Sequence, residues 1–141
     1  MNGRHIIISK GTELHRFPLD ALVCIEADGN YSYATTLDGK KTLICLQLGQ
    51  IEVLMSQQLG EDFTNFLRIG RGLIINTEYI YHIDISKKLL IMSDCRHLRI
   101  ELSASREVLI KLKLFLEETV REVPEEQKAT MEEPLAVPEN N

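Results

Sequence analysis

Short runs of apolar or alternating residues, separated by turn residues, make up most of the chain and predict β-strands. The first two runs, residues 4–9 and 12–17, flank Lys10-Gly11 and predict a hairpin with a tight turn. Further strand-like runs cover residues 22–27, 31–37, 41–46, 66–69, 73–75, 79–85, 89–92 and 98–102. The pattern therefore predicts a mainly β fold.

One segment in the middle of the chain interrupts the strand pattern. Between residues 48 and 59 the apolar residues recur at helical spacing, at positions Ile51, Leu54, Met55 and Leu59. This periodicity predicts one short amphipathic helix. Gly60 follows it directly and is expected to end it in the left-handed conformation.

The last apolar segment, about residues 105–120, has two interpretations. Ile110, Leu112 and Leu114 alternate with lysines as in a strand, whereas Leu112, Leu116 and other apolar residues share one helical stripe. Because the run is long, has no helix breaker and starts with a serine suited to an N-cap, we predict a C-terminal helix. It would be apolar on more than one side, and so suited to pack on the sheet and on a partner.

Charge is distributed unevenly along the 141 residues, whose formal net charge is −5. Residues 117–141 carry −6 and contain three prolines, whereas residues 1–116 carry +1. We therefore expect one domain over residues 1–116. Residues 117–141 would hold the end of the C-terminal helix and then a disordered acidic tail. That tail is either a solvated terminus, or an acidic interaction arm or electrostatic mimic of phosphate.

The sequence offers no sign of catalysis, of a metal site or of membrane insertion. It lacks phosphate-binding, nucleophile-elbow and zinc-protease motifs, its four histidines are scattered, and its three cysteines have no CxxC spacing. No apolar run reaches the ~18 residues of a membrane span, and no secretory signal is visible. We predict a protein that is not an enzyme and needs no cofactor. Its cysteines lie in strand-like runs, so we expect buried thiols in a reducing cytoplasm.

Three polar stretches remain as candidates for chemistry. In the first, Arg71 stands between Gly70 and Gly72, so that a tight turn projects a guanidinium suited to phosphate or guanine. In the second, Ser105-Arg106 opens the C-terminal helix, whose free N–H groups attract phosphate. An ion pair of Arg106 with Glu101 or Glu107 is equally compatible with the sequence. The third stretch places Asn30, Tyr31 and Ser32 at a loop tip, where an amide can read adenine and hydroxyls can hold phosphate or sugar.

Together and in this order, these stretches resemble the LytTR family of bacterial DNA-binding domains. Residues 22–31 resemble the family's "dIlyIEa.gnY" run, residues 66–83 its "F.RihRsylVN...I..i" run, and residues 98–116 its closing strand, "SR" and helix. The resemblance covers about residues 4–116. The middle motif is the most specific, because seven of its positions agree. They are Phe66, Arg68, Ile69, Arg71, Ile75, Asn76 and Ile80.

The resemblance implies an elongated stack of small antiparallel β-sheets that binds promoter DNA through loops. The DNA-reading residues it implies are Asn30 and Tyr31 with their neighbour Ser32, then Arg71, and then Arg106. Accessory phosphate contacts would come from Arg68, Ser105 and Lys111. Asn76 matches the family's asparagine but is interpreted as structural.

The family resemblance also implies a biological setting. We expect a stand-alone, two-component-like transcription regulator in the cytoplasm, binding double-stranded DNA at repeated half-sites, as a homodimer at least on DNA. The match starts at about residue 4, without a receiver domain, so regulation would come from a protein acting in trans, from oligomerisation or from the tail. Glycines replace the usual His and Ser beside Arg71, which predicts a more flexible loop. The alternatives are an interaction module of the same fold that no longer binds DNA, and, more remotely, an enzyme or small-ligand sensor.

Overall fold

The structure, a computed structural model, describes residues 4–121 except the side chains of Asp62, Thr64 and Arg121. The predicted disordered tail falls, from residue 122 onward, outside the described residues. The chain divides after Leu109 into two compact units.

Residues 4–121 form ten β-strands in three antiparallel sheets, together with two α-helices and short 3₁₀ turns. The strands are β1 (His5–Lys10), β2 (Glu13–Pro18), β3 (Leu22–Asp28), β4 (Tyr31–Thr36), β5 (Lys41–Ile44), β6 (Phe66–Ile69), β7 (Leu73–Asn76), β8 (Ile80–Asp84), β9 (Leu89–Ser93) and β10 (Arg99–Ser103). The helices are α1 (Leu48–Leu59) and α2 (Arg106–Arg121). The predicted mainly β class with small antiparallel sheets is confirmed.

The sheets follow from the turns that the sequence marks. β1 and β2 pair as the predicted hairpin, and β8, β9 and β10 form a meander in the order β10-β9-β8. The largest sheet has the order β5-β4-β3-β7-β6. Because β3 is antiparallel to β7 and β7 is antiparallel to β6, the strands β3 and β6 run in the same direction. The β3–β4 and β6–β7 turns therefore lie at the same end of this sheet.

The main core joins the β1–β2 hairpin, the five-stranded sheet and α1. Helix α1 has the predicted bounds and buries Leu48, Ile51, Met55 and Leu59, while Leu54 is only partly buried. The expected left-handed cap at Gly60 is wrong in detail. Its φ is positive, at 55°, but its ψ of −120° lies outside the left-handed helical region.

The C-terminal segment is a helix, as predicted, and not a strand. It begins at Arg106, directly after the serine expected as its N-cap. Within residues 110–121, Leu112 is buried, while four large apolar side chains are exposed. They are Ile110, Leu114, Phe115 and Val120. Apolar residues therefore do occur on more than one side of this helix.

The expectation of three buried thiols is wrong for two of them. Cys24 is buried in β3, whereas Cys45 and Cys95 are exposed because each lies just beyond a strand end, in a connection. All three are free thiols. Burial raises the pKa of the Cys24 thiol to about 11, with a smaller contribution from the nearby charge of Glu26.

Candidate nucleic-acid interface

The β6–β7 turn projects Arg71 from a backbone that is fixed on two sides. Gly70 has a φ of 59°, which is readily adopted only by glycine. The carbonyl of Arg71 accepts a hydrogen bond from Nη2 of Arg68 at 2.7 Å, and the carbonyl of Gly72 accepts one from the backbone N–H of Ala27 at 2.9 Å. These bonds brace the turn for which the glycines predicted flexibility.

Arg68 is the main support of this turn. Besides its bond to the Arg71 carbonyl, its Nη1 lies 2.9 Å from Oε1 of Glu52 on α1, and its side chain is only 28% exposed. Both terminal nitrogens of Arg68 are thus engaged within the protein. Its geometry is that of a residue that positions the turn, rather than of the accessory phosphate contact expected from the sequence.

Arg71 has the opposite character. Its side chain is exposed, and none of the ion pairs found within residues 4–121 includes it. The hydrogen bonds of the turn fix the backbone from which this side chain projects, and a guanidinium fork suits bidentate contacts with guanine or phosphate. Only its carbonyl is used by the protein, so its side chain stays available.

The start of α2 lies beside this turn. Ser105 caps the helix, because its Oγ accepts a hydrogen bond from the backbone N–H of Val108 at 3.3 Å. A Cβ built on Gly70 would come within 3.7 Å of Cγ2 of Val108. Ser105 and Arg71 line one open cleft of about 600 Å³, and Arg106, the next residue after Ser105, is exposed. The structure therefore brings together two of the three predicted stretches.

The β3–β4 turn carries the third stretch, at the same end of the five-stranded sheet. Asn30 is exposed, and its Oδ1 accepts a hydrogen bond from Nε2 of Gln47 at 2.9 Å. Gln47 immediately precedes α1, and its own N–H donates to Oε1 of Gln50. Tyr31 is 50% exposed. The turn thus presents the Asn30 amide and the Tyr31 phenol to solvent, and the hydrogen bond from Gln47 fixes the position of the amide.

Ser32 departs from the expectation that it contacts DNA. Its side chain is fully buried, and its hydroxyl donates to the carbonyl of Leu46 at 2.9 Å. Side chains alternate between the two faces of a strand, so the residue after the exposed Tyr31 points inward. We therefore remove Ser32 from the set of proposed DNA contacts.

Comparison with known proteins decides the family. The profile of the LytTr DNA-binding domain matches residues 12–117, about three-quarters of the chain. The chain belongs to the LytTR family. A solved structure, the LytTr DNA-binding domain of a protein from Bacillus cereus, has the same fold with a TM-score of 0.53 at 18% identity, and the match covers 79% of this chain and 95% of that one. No curated protein matches the chain.

Asn76 of this LytTR domain is structural, as the sequence indicated. It is only 3% exposed, and its Nδ2 donates to the carbonyl of Leu22 at 2.9 Å and to that of Leu19 at 3.4 Å. Its Oδ1 accepts from the N–H of Glu78 at 3.0 Å. Both donors of this buried amide are used and its oxygen already accepts a hydrogen bond, so it is not available to a ligand.

Two glutamates line the cleft of the LytTR domain, of which the sequence offered only Glu101, as an ion-pair partner of Arg106. Glu26 on β3 forms an ion pair of 3.3 Å with Lys41, and Glu101 on β10 lies 3.5 Å from Arg99. A carboxylate repels phosphate but accepts hydrogen bonds from the amino group of cytosine. Alternation along the strands would have indicated only which face each glutamate occupies, not that they flank Arg71.

The β9–β10 turn, also polar in sequence, is fixed by one carboxylate. The N–H groups of Arg96, His97 and Leu98 all donate to Oδ1 of Asp94. Hydrogen bonds from Leu98 and Arg96 are the largest causes that lower the pKa of Asp94 to about 2. This is a structural role within the turn.

Lys111 is exposed on α2, beyond Leu109 and thus in the second compact unit. No helix within residues 4–121 is long and apolar enough to cross a membrane. In the same range, no group of three or more His, Cys, Asp or Glu side chains is arranged to hold a metal ion.

Proposed function

We propose that this LytTR protein is a cytoplasmic transcription regulator that binds promoter DNA sequence-specifically through its loops. The observation that carries the proposal is the exposed Arg71 side chain on a turn braced by Arg68 and Ala27, next to the start of α2. Because the backbone of the turn is fixed before binding, only the Arg71 side chain has to be ordered when it meets a base edge.

Each element of the interface has a distinct part in the proposed complex. Arg71 and Arg106 would contact guanine or phosphate, while Asn30 and Tyr31 would contact a base edge and the sugar–phosphate backbone. The N–H groups at the start of α2 favour a phosphate there, with Ser105 and Lys111 as accessory contacts.

Charge indicates that specificity depends on a few placed side chains. The proposed DNA-binding domain, residues 1–116, carries only +1, and Glu26 and Glu101 lie beside Arg71. With so small a net charge, this domain does not produce the strong positive field that would hold random duplexes. We expect weak binding to random DNA and a specific affinity that falls with salt.

The proposal is tested by in vitro selection from random duplexes with the full-length protein, followed by gel-shift titration of the enriched site. Arg71→Ala is expected to weaken specific binding by about 1–3 kcal/mol. Arg16→Ala is the matched control, because Arg16 is an exposed arginine on β2, outside the interface. Enrichment of no sequence at all would contradict sequence-specific binding.

The same assay tests whether the acidic segment after α2 affects DNA binding. Helix α2 continues to Arg121, so a chain ending there leaves the described fold whole and removes most of the acidic segment. If residues 122–141 compete with DNA for the basic side chains, their removal tightens binding. Unchanged affinity would show that this segment is inert in DNA binding.

A second function is favoured by the glutamates of the cleft. Carboxylates beside the only exposed arginine of the β6–β7 turn suit a protein partner with mixed charges as well as DNA. In that case the domain would capture a protein that DNA cannot displace. Competition between a captured partner and the selected duplex separates the two functions.

The proposal includes a homodimer on repeated half-sites. Two copies on adjacent sites raise each other's local concentration, so a weak contact between them suffices for cooperative binding.

A further inference from the structure

The outward side of α2 carries apolar residues on a helix that is otherwise strongly charged. Ile110 is 38% exposed and Leu114 is 50% exposed. They are four residues apart, so they lie one above the other on the same face of the helix. Phe115, 46% exposed, adjoins them on one flank. We call Ile110, Leu114 and Phe115 the α2 patch.

Charges around the α2 patch are ordered along the helix. Lys111 and Lys113 lie on its N-terminal half, whereas Glu117 and Glu118 lie on its C-terminal half. Lys113 forms an ion pair with Glu117 within the helix, four residues on. With Arg106 and Glu107 included, the N-terminal half of α2 carries +2, and with Arg121 included, the C-terminal half carries −1. The helix is therefore complementary in net charge to a reversed copy of itself.

We propose that the α2 patch binds the α2 patch of a second copy of this chain, with the two helices antiparallel. With the two-fold axis at Leu114, the Leu114 side chains meet and Lys111 comes close to Glu118 of the second copy, because these two residues lie on the same flank of the helix. The two-fold symmetry makes this contact occur twice in the dimer. A parallel arrangement would instead set lysines against lysines. The inference rests on the proposed homodimer and names its surface.

The chain's own C-terminal segment fits this surface less well. Residues 122–141 carry six acidic residues and one lysine, and they continue directly from the acidic half of α2. Folding back over the helix would first bring these acids past Glu117 and Glu118. A second copy meets opposite charge at both ends, so charge complementarity favours it.

Sedimentation equilibrium of the full-length protein without DNA tests the proposal over a range of concentrations. We expect a concentration-dependent dimer, and Leu114→Asp should raise its dissociation constant at least about tenfold. Val53→Asp is the matched control, because Val53 is 54% exposed on α1, outside the α2 patch. Equal melting temperatures for the two variants would confirm that folding is retained.

Charge reversal provides a test that loss of folding cannot imitate. Lys111→Glu and Glu118→Lys should each weaken the homodimer several-fold, whereas a mixture of the two single variants should restore association, because every contact is then complementary.

Three results would overturn the proposal. They are a monomer at all concentrations, a dimer unaffected by Leu114→Asp, and a dimer that forms only after the tail glutamates are replaced by glutamine in the full-length chain. The last would assign the patch to residues 122–141. Because no DNA is present, failure here leaves the selection experiment as a separate test of DNA binding.

Discussion

The two ends of strand β7 use polar side chains in opposite ways. At its start the β6–β7 turn leaves the Arg71 side chain in solvent and binds only its carbonyl. At its end Asn76 is buried, and its amide makes hydrogen bonds to three backbone groups. Both residues belong to the same family motif. The difference shows that burial and hydrogen bonding, not membership of a motif, separate a structural residue from one whose side chain remains available to a ligand.

The largest effect is expected at the buried end. Asn76→Ala leaves the carbonyl of Leu22 and the N–H of Glu78 without a partner, so it should lower the free energy of unfolding by about 1–3 kcal/mol. Urea denaturation measures it, with Asn30→Ala, an exposed asparagine, as the control. An equal decrease in the free energy of unfolding for both variants would contradict the structural role of Asn76.

A second effect at the buried end depends on pH. Cys24, paired in register with Ile75, has its pKa raised by burial from 9.0 to about 11. Between these values the unfolded chain releases a thiol proton that the folded chain keeps, so this group's contribution to stability is complete below pH 9 and is lost as pH rises. The stability of wild type should therefore decline more steeply over this range than that of Cys24→Ala. Parallel pH profiles would contradict a buried thiol.

The position of Arg71, at the exposed end of β7, can be disturbed without mutating Arg71 itself. Glu52→Gln removes the ion pair that holds Arg68, and with it part of the support of the turn. If Arg68 positions Arg71, specific DNA binding should weaken by about 0.5–1 kcal/mol. Loss of a negative charge alone would strengthen binding to DNA, so the two explanations predict opposite signs. Gel-shift titration at constant salt decides between them.

A further pair of effects concerns the neighbouring β3–β4 turn. Ser32→Ala removes one buried hydrogen bond to Leu46 and should cost about 0.5–1.5 kcal/mol of stability, with specific DNA affinity unchanged once folding is complete. Asn30→Ala should do the reverse. A loss of affinity in Ser32→Ala with unaltered stability would return Ser32 to the interface.

Local pattern predicted the elements of the fold well. Turn residues such as Lys10-Gly11 fix where strands end, and the helical period fixed both bounds of α1. The start of α2 was also predicted, because a serine cap is a local signal. These features depend on neighbours within a few residues.

The wrong predictions concern residues whose surroundings depend on contacts between distant parts of the sequence. Ser32 pairs in register with Ile44 of β5, and only strand pairing shows that its side of β4 is the buried one. Arg68 meets Glu52 across 16 positions of sequence, which no local signal reveals. Cys45 and Cys95 were expected in strands, but the strands end before them.

The central claim, that Arg71 reads bases, is tested most directly by a double-mutant cycle. Affinities would be measured for wild type and Arg71→Ala, each with the selected duplex and with a duplex changed at one guanine. If Arg71 contacts that guanine, the two changes are not additive, and the coupling at one position should reach about 1–3 kcal/mol. Additive effects at every guanine of the site would contradict base reading by Arg71.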